Sequence, residues 1–220
     1  MQTMQRRIPS QRQWFEIIIK SIFGSIKLDG HWLNMNSFKS QILTDERQMS
    51  DLIKLCDLSP NDKWSLLYRG TRDGSGSRDF HSRCDGHSNT LTILKAKQSS
   101  YIFGAFTKVS WESSTNGKWE LDPNAFIFSL TNKDNKPLKM KIDSNRHKNA
   151  IFCDSEYGPT FGDGHDIHIG KNSNTTMNSY SDLGCTYSHP QYGIYSDIAQ
   201  AFLAGSLEFE MCEFEVYKKE

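Results

Sequence analysis

The sequence has no excess of either charge, no paired cysteines and no long apolar run, and each absence removes a class of protein. Acidic and basic side chains balance at 26 each over 220 residues, so no long-range field draws the chain to nucleic acid or an anionic membrane. The five cysteines, Cys56, Cys84, Cys153, Cys185 and Cys212, are odd in number and widely spaced, without a C-x-x-C pair. That spacing suggests neither a zinc ribbon nor a disulfide framework and fits a reducing compartment. No stretch approaches the ~20 apolar residues of a membrane-spanning helix, and no secretory signal opens the sequence. The expectation is a cytoplasmic protein. Catalytic signatures are missing as well. There is no G-x-S-x-G elbow, Gly74-Ser75-Gly76 lacks a third glycine at nucleotide-binding spacing, and Gly170-Lys171 is followed by Asn172 rather than Ser or Thr.

What is present is aromatic and loop-rich: 15 glycines, with Ser, Asn and Asp clustered between apolar runs, the composition of a β protein with many turns. A chain of this length can bury a self-sufficient core. Residues 1–36 read as an arm in which Trp14, Phe15, Ile18, Ile19, Ile22 and Phe23 recur at helical spacing. Because Arg6, Arg7 and Arg12 precede this amphipathic stretch, a mitochondrial or membrane-peripheral role stands beside simple packing on the domain or on a partner. A second helix is expected from an N-cap at Thr44 to about Cys56, burying Met49, Leu52, Ile53 and Cys56.

From Trp64 the period becomes two, giving strand candidates at 64–69, 90–95, 101–106, 124–130, 138–142, 150–153, 166–169 and 207–217. The turn formers of Asn132–Pro137 join the fourth and fifth as a hairpin. A short helix from Ser196 to about Ala204 points Ile198, Ala199, Phe202 and Leu203 inward. In the last run the apolar set Leu207, Phe209, Met211 changes parity to Phe214, Val216. Keeping both sets in the core requires one extra residue, a β-bulge at Cys212 or Glu213. The fold class is α+β, mainly β: two packed antiparallel sheets forming a β-sandwich with flanking short helices.

Three constellations invite chemistry. Asp73, Ser75 and Ser77 alternate like calcium ligands, but the required glycine and bidentate glutamate positions hold Arg78 and Cys84. His165, Asp166 and His168 could suggest a metal, yet in an extended strand the two histidines project to opposite faces and do not converge. Cys84 near His81 leaves a thiol nucleophile open, since residues three apart are neighbours on a helix. The reading is therefore no cofactor, no metal and no catalytic residue. A thiol-based redox enzyme or sensor, or a hydrolase, is kept as the alternative.

Taken in order, WSLLYRGTRDG (64–74), FHSRCDG (80–86), TLTIL (90–94), IFGAFT (102–107), AFIFSLTN (125–132), YGPTFGDGHDIHI (157–169), SYSDLG (179–184), FLAG (202–205) and FEVY (214–217) resemble the TLDc domain family of oxidation-resistance proteins. The resemblance spans 37–220. It implies a two-sheet sandwich without an accepted active site, protection against oxidative stress, and a protein partner, the vacuolar proton-pumping ATPase. No upstream module of larger relatives is seen, so functions such modules supply are not carried over. Gly70, Gly74, Gly86, Gly104, Gly162 and Gly164 fall in the family's motifs, at turns or close backbone approaches. Arg69, Asp73, Arg83 and Asp85 match its charged positions and form either a buried polar network or a binding patch. With inward strand residues committed to the core, recognition falls to loops such as 73–88, 110–123 and 157–165. Trp111 and Trp119, in a polar loop, are either contact anchors or packed against their own sheet.

Overall fold

The computed structural model describes residues 38–59, 62–194 and 196–220, together with the backbone of 25–28 and 31–34. The helix expected over 14–23 lies outside the described residues. A hairpin of β1 (Ser25–Leu28) and β2 (His31–Asn34) precedes helix α1 (Glu46–Leu55). Then come β3 (Trp64–Arg69), the single turn α2 (Gly70–Asp73), helix α3 (Ser77–Cys84), β4 (Thr90–Ala96), β5 (Ile102–Thr107) and β6 (Lys118–Glu120). β7 (Phe126–Ser129), β8 (Leu138–Lys141), β9 (Ile151–Cys153), β10 (Thr160–Phe161), β11 (Ile167–His168) and β12 (Ser179–Tyr180) follow. The last elements are α4 (Asp197–Gln200), β13 (Glu208–Phe209) and β14 (Met211–Lys219).

The long strands form a first sheet in the order β3, β14, β4, β5, β7, β8, and the short ones a second sheet in the order β13, β12, β11, β10, β9, β6, with every pairing antiparallel. Leu94, Phe103, Ala105, Ile127 and Phe214 of the first sheet meet Ile151, Phe161, Ile167 and Phe209 of the second in one core. Phe103 and Phe209 meet edge to face across it at 5.7 Å, each such buried ring contributing roughly 1.5–3 kcal/mol. The opposite face of the first sheet, carrying Leu91, Ile93, Ile102, Phe128 and Tyr217, is covered by Phe38, Ile42 and Leu43 and by Met49 and Leu52 of α1. Burial on both faces explains why TLTIL reads as a continuous apolar run instead of alternating.

Several boundaries differ from the sequence expectation, each for a local reason. Asp45, not Thr44, caps α1, its carboxylate accepting the N–H of Arg47 at 2.8 Å. The Asn132 turn closes the β7–β8 hairpin with its own side chain, which accepts from Asp134 N–H and donates to Ser129 Oγ and to the Lys136 carbonyl. Ile198 faces outward, because the helix lasts only one turn before the chain bends and carries Phe202 and Leu203 into the core.

The expected strand 207–217 is two strands. Phe209 belongs to the second sheet and Met211 to the first, so the chain changes sheets at Glu210, and Leu207 lies exposed. The bulge is where parity places it. Met211 opposes Ala96 and Glu213 opposes Lys95, leaving Cys212 as the extra, exposed residue and returning Phe214 and Val216 to the face of Met211.

Gly104 shows how tight the first sheet is. A Cβ there would overlap the Thr92 carbonyl oxygen and approach the Phe128 ring to 2.7 Å, so only a bare α-carbon fits. Gly104→Ala is expected to lose stability at the upper end of the ~1–3 kcal/mol of overpacked sites. Gly193→Ala, whose Cβ meets nothing within 4 Å, should change little, and urea titration of both variants checks the contrast.

Candidate interaction surface

The polar residues on and around α2 and α3 are held by one another. The β3–α2 corner sets Arg69 beside β14, where its Nε donates to Glu215 Oε1 at 2.8 Å, with the glutamate fully buried. The same carboxylate accepts from Gln41 N–H at 2.8 Å, Ser40 Oγ at 2.6 Å and Tyr217 Oη at 3.0 Å. Burial, reinforced by this carboxylate, pushes the Tyr217 phenol up. Asp73 accepts from Arg69 N–H at 3.0 Å and from Arg72 Nη2 at 2.6 Å, and lies 3.5 Å from Arg83. Burial opposes ionisation of Asp73, but these donors outweigh it and hold its carboxyl below the usual range. Arg69, Asp73 and Arg83 thus share one network. Asp85 stands apart from it, bound to His81 and Ser113.

That second group lines a cleft of about 380 Å³ with Arg78, Ser82, Ser155 and Glu156. It contains serine, histidine and aspartate, but in an order that does not activate the hydroxyl. Ser113 Oγ donates to Asp85 Oδ2 at 2.5 Å, while His81 Nδ1 faces Asp85 Oδ1 at 2.7 Å. His81 Nε2 faces the carbonyls of Asp154 and Tyr157 at 2.9 and 3.0 Å. Both ring nitrogens therefore point at oxygen acceptors, and neither can take a proton from a serine, as a nucleophile's base must.

The thiols are equally withheld. Cys84, three residues from His81, is buried and its thiol pushed up by burial and then by Asp85 and Asp73. Burial raises Cys56 too and lifts Cys153 to about 12, the opposite of what a reactive thiolate needs. Among the five, only Cys212 on its bulge is exposed.

The motif glycines serve the backbone. Gly74, Gly86, Gly162 and Gly164 adopt positive φ, and Gly70 packs against Phe214 and Glu213. At Gly162, φ +81°, any side chain would overlap the Asp166 carboxylate. That carboxylate is buried and takes the backbone N–H groups of Gly184 at 2.7 Å and Thr186 at 2.9 Å. Burial pushes it up to about 7 against the pull of these donors, and the contact fixes the loop 184–187 to the β10–β11 turn.

This turn corrects the expectation for the histidines. The extended segment is only Ile167–His168, and His165 sits in the turn at φ +63°, so strand alternation does not apply to it. The two rings are stacked, centroids 5.2 Å apart at 18°. His165 Nδ1 lies 2.5 Å from Tyr180 Oη, and His168 Nδ1 lies 3.1 Å from Thr160 Oγ1. Among the described residues, no group of three or more metal-ligand side chains surrounds them.

The tryptophans part company. Trp111 is a core residue, 1% exposed, edge-on to Phe80 and Phe161, its Nε1 donating to Thr90 Oγ1 at 3.0 Å. It is not available as a surface anchor, because the loop before β6 folds back so that Trp111 pairs with Asp85. Trp119 lies half-buried on β6 against Phe152 at 4.6 Å. From there a line of rings crosses the outer face of the second sheet. Phe152 lies 5.6 Å from His165, Tyr157 4.6 Å from His168, and His168 4.9 Å from Tyr180. Trp119, Phe152, Tyr157, His165 and Tyr180 are each half-buried, with His168 beneath them. Sequence reasoning found only Trp119 and the histidines. Two-residue strands such as Thr160–Phe161 and Ser179–Tyr180 carry too little periodicity to reveal which aromatics face outward.

The TLDc domain model matches residues 37–220, and the chain belongs to the TLDc domain family, a family associated with oxidation resistance. Among curated proteins, none matches the chain. No helix among the described residues is long and apolar enough to cross a membrane.

Two outcomes follow from the networks. Arg69→Ala strands the buried Glu215 carboxylate and should cost about 3–5 kcal/mol, whereas Arg83→Ala, at a side chain 56% exposed, should cost under ~1 kcal/mol; chemical denaturation checks both. Titration of the native protein with a thiol-specific chromogenic disulfide should find Cys212 reacting promptly and the four buried thiols only on unfolding.

Proposed function

We propose that this TLDc domain acts without catalysis, protecting against oxidative stress by binding and regulating the vacuolar proton-pumping ATPase from the cytoplasm. Membership of the family across 37–220 carries the reading. Two features of the geometry support it. Ser113 and His81, which meet in the one Ser–His–Asp group described above, are consumed by internal hydrogen bonds, and Cys84 beside them is buried. Half-buried aromatics, by contrast, lie open on the second sheet, the kind of side chain that anchors protein interfaces. Trp119 is the anchor we assign. A stable complex buries on the order of 1,200–2,000 Å², so the loops around residues 110–123 and 157–165 contribute with it.

The test mixes the purified chain with the purified pump at near-physiological salt and follows co-elution. Binding at micromolar concentration is expected. Trp119→Ala should weaken it by ~2 kcal/mol or more, as for a central anchor, while Arg83→Ala should leave it unchanged. Failure to co-elute with a folded, complete pump removes this partner; binding that ignores Trp119→Ala removes only the anchor.

A further inference from the structure

The aromatic face of the second sheet is bordered by three carboxylates that no cation pairs among the described residues. Glu208 is the cross-strand partner of Tyr180 and is exposed. Asp182 N–H donates to the His165 carbonyl at 3.2 Å; burial, then Tyr157 and Asp182, push the Tyr180 phenol up, and Asp163 opposes the lowering of His165 by burial. Among the described residues, the side chains of Asp163 and Asp182 accept from neutral amides, Asn149 at 3.0 Å and Gln200 at 2.8 Å. No ion pair to any of the three is present among the described residues. Lys171 is paired with Glu156, the neighbour of Tyr157. Lys118, beside Trp119, is held between Glu112 at 3.1 Å and Glu120 at 2.5 Å.

A second, independent feature lies within the rings. His168 is 6% exposed, and its Nδ1 is taken by Thr160. Its Nε2 makes no hydrogen bond among the described residues. The single Thr160 hydroxyl proton goes to the Gly158 carbonyl at 3.1 Å, so Nδ1 carries the ring proton and Nε2 is left as the acceptor. Burial, and then His165, hold the ring's pKa down at about 3 and keep it neutral.

Stacked rings, carboxylates without a cation and an unpartnered ring acceptor call for a flat cation with several N–H donors. Guanidinium meets all three demands, since it stacks on aromatic faces and forks onto carboxylates, which an ammonium does not. We propose that the outer face of the second sheet, from Tyr157 and Tyr180 across the paired histidines, binds an arginine side chain presented by the partner protein, with Asp163, Asp182 and Glu208 as its counter-charges. This rests on the reading of the domain as a binding module but not on which protein is the partner.

The experiment titrates the isotope-labelled full chain with three short capped peptides, identical except for arginine, lysine or citrulline at the central position, and follows amide and indole resonances. The arginine peptide should shift Trp119, His165, His168 and Tyr180 selectively, binding about tenfold more tightly than the citrulline peptide and more tightly than the lysine peptide. Asp163→Asn combined with Glu208→Gln, both at exposed positions, should weaken the arginine peptide severalfold without changing the melting temperature. Equal binding of the citrulline or lysine peptide, or shifts scattered away from these rings, overturns the proposal, and this comparison needs no variant to fold. Arginine binding by a chain that ignores the pump would leave this site standing and remove the pump. Co-elution with the pump, without any response to arginine, would do the reverse.

Discussion

The position of β14 is the constraint from which the rest of the structure follows. It lies inside the first sheet, hydrogen-bonded to β3 on one side and β4 on the other, though it is the last strand in the sequence. A strand in that place must be buried on both faces, and Met211–Tyr217 is buried at every position except the bulged Cys212. Phe214 and Val216 supply the face toward the second sheet. The other face holds Glu213, Glu215 and Tyr217, two of them carboxylates. Buried charge is tolerated only where partners replace water, and residues 40, 41, 69 and 71 donate to these two carboxylates. The segment before α1 and the β3–α2 corner are thereby tied to one strand by donors rather than by apolar contact alone.

This arrangement gives a physical meaning to the family's charged motif. In the sequence, Arg69 and Asp73 read either as a buried polar network or as a binding patch. In the structure Arg69 answers Glu215, and Asp73, at the end of α2, accepts the Arg69 N–H and so ties that turn to the end of β3. Replacing such a pair with apolar residues is often neutral, while removing one partner is costly, so these residues are mutually dependent without needing a ligand to explain them. Asp85, matched by the same motif, serves a different purpose: it orients His81 and Ser113 and holds the loop of Trp111.

The first sheet was legible because its strands are long enough for a period to repeat. Trp64–Arg69 and Thr90–Ala96 were read almost to the residue, and the parity break between Met211 and Phe214 located the bulge. The second sheet was not legible to the same degree. β6, β10 and β12, with two or three residues each, have no periodicity to detect and exist because antiparallel neighbours and side-chain contacts such as Asp166 with residues 184–187 hold them in place. Alternation also misled where a turn was mistaken for strand, since His165 reaches the face of His168 only by adopting a positive φ. Trp111 was ambiguous for a related reason: a loop has no period, so burial of its residues depends on where the loop returns.

The two sheets also differ in what covers them, and the difference bears on function. Both share one core, but the first has a further layer, α1 and the segment before it, over its outer face. The second carries its rings half-open, with Trp119 at one edge and Tyr180 near the other. Aromatic side chains left there gain little from their own fold, since a half-buried ring realises only part of the transfer energy available to a buried one. They also carry a liability, because apolar surface invites unspecific association. The unpaired carboxylates at the margin reduce that liability: an apolar or anionic partner would have to strip them of water without compensation. A cationic group loses its own hydration too, but it regains both the carboxylates and the ring faces. The same residues that would bind an arginine thus discriminate against the surfaces most often encountered, and specificity comes from the margin as much as from the rings.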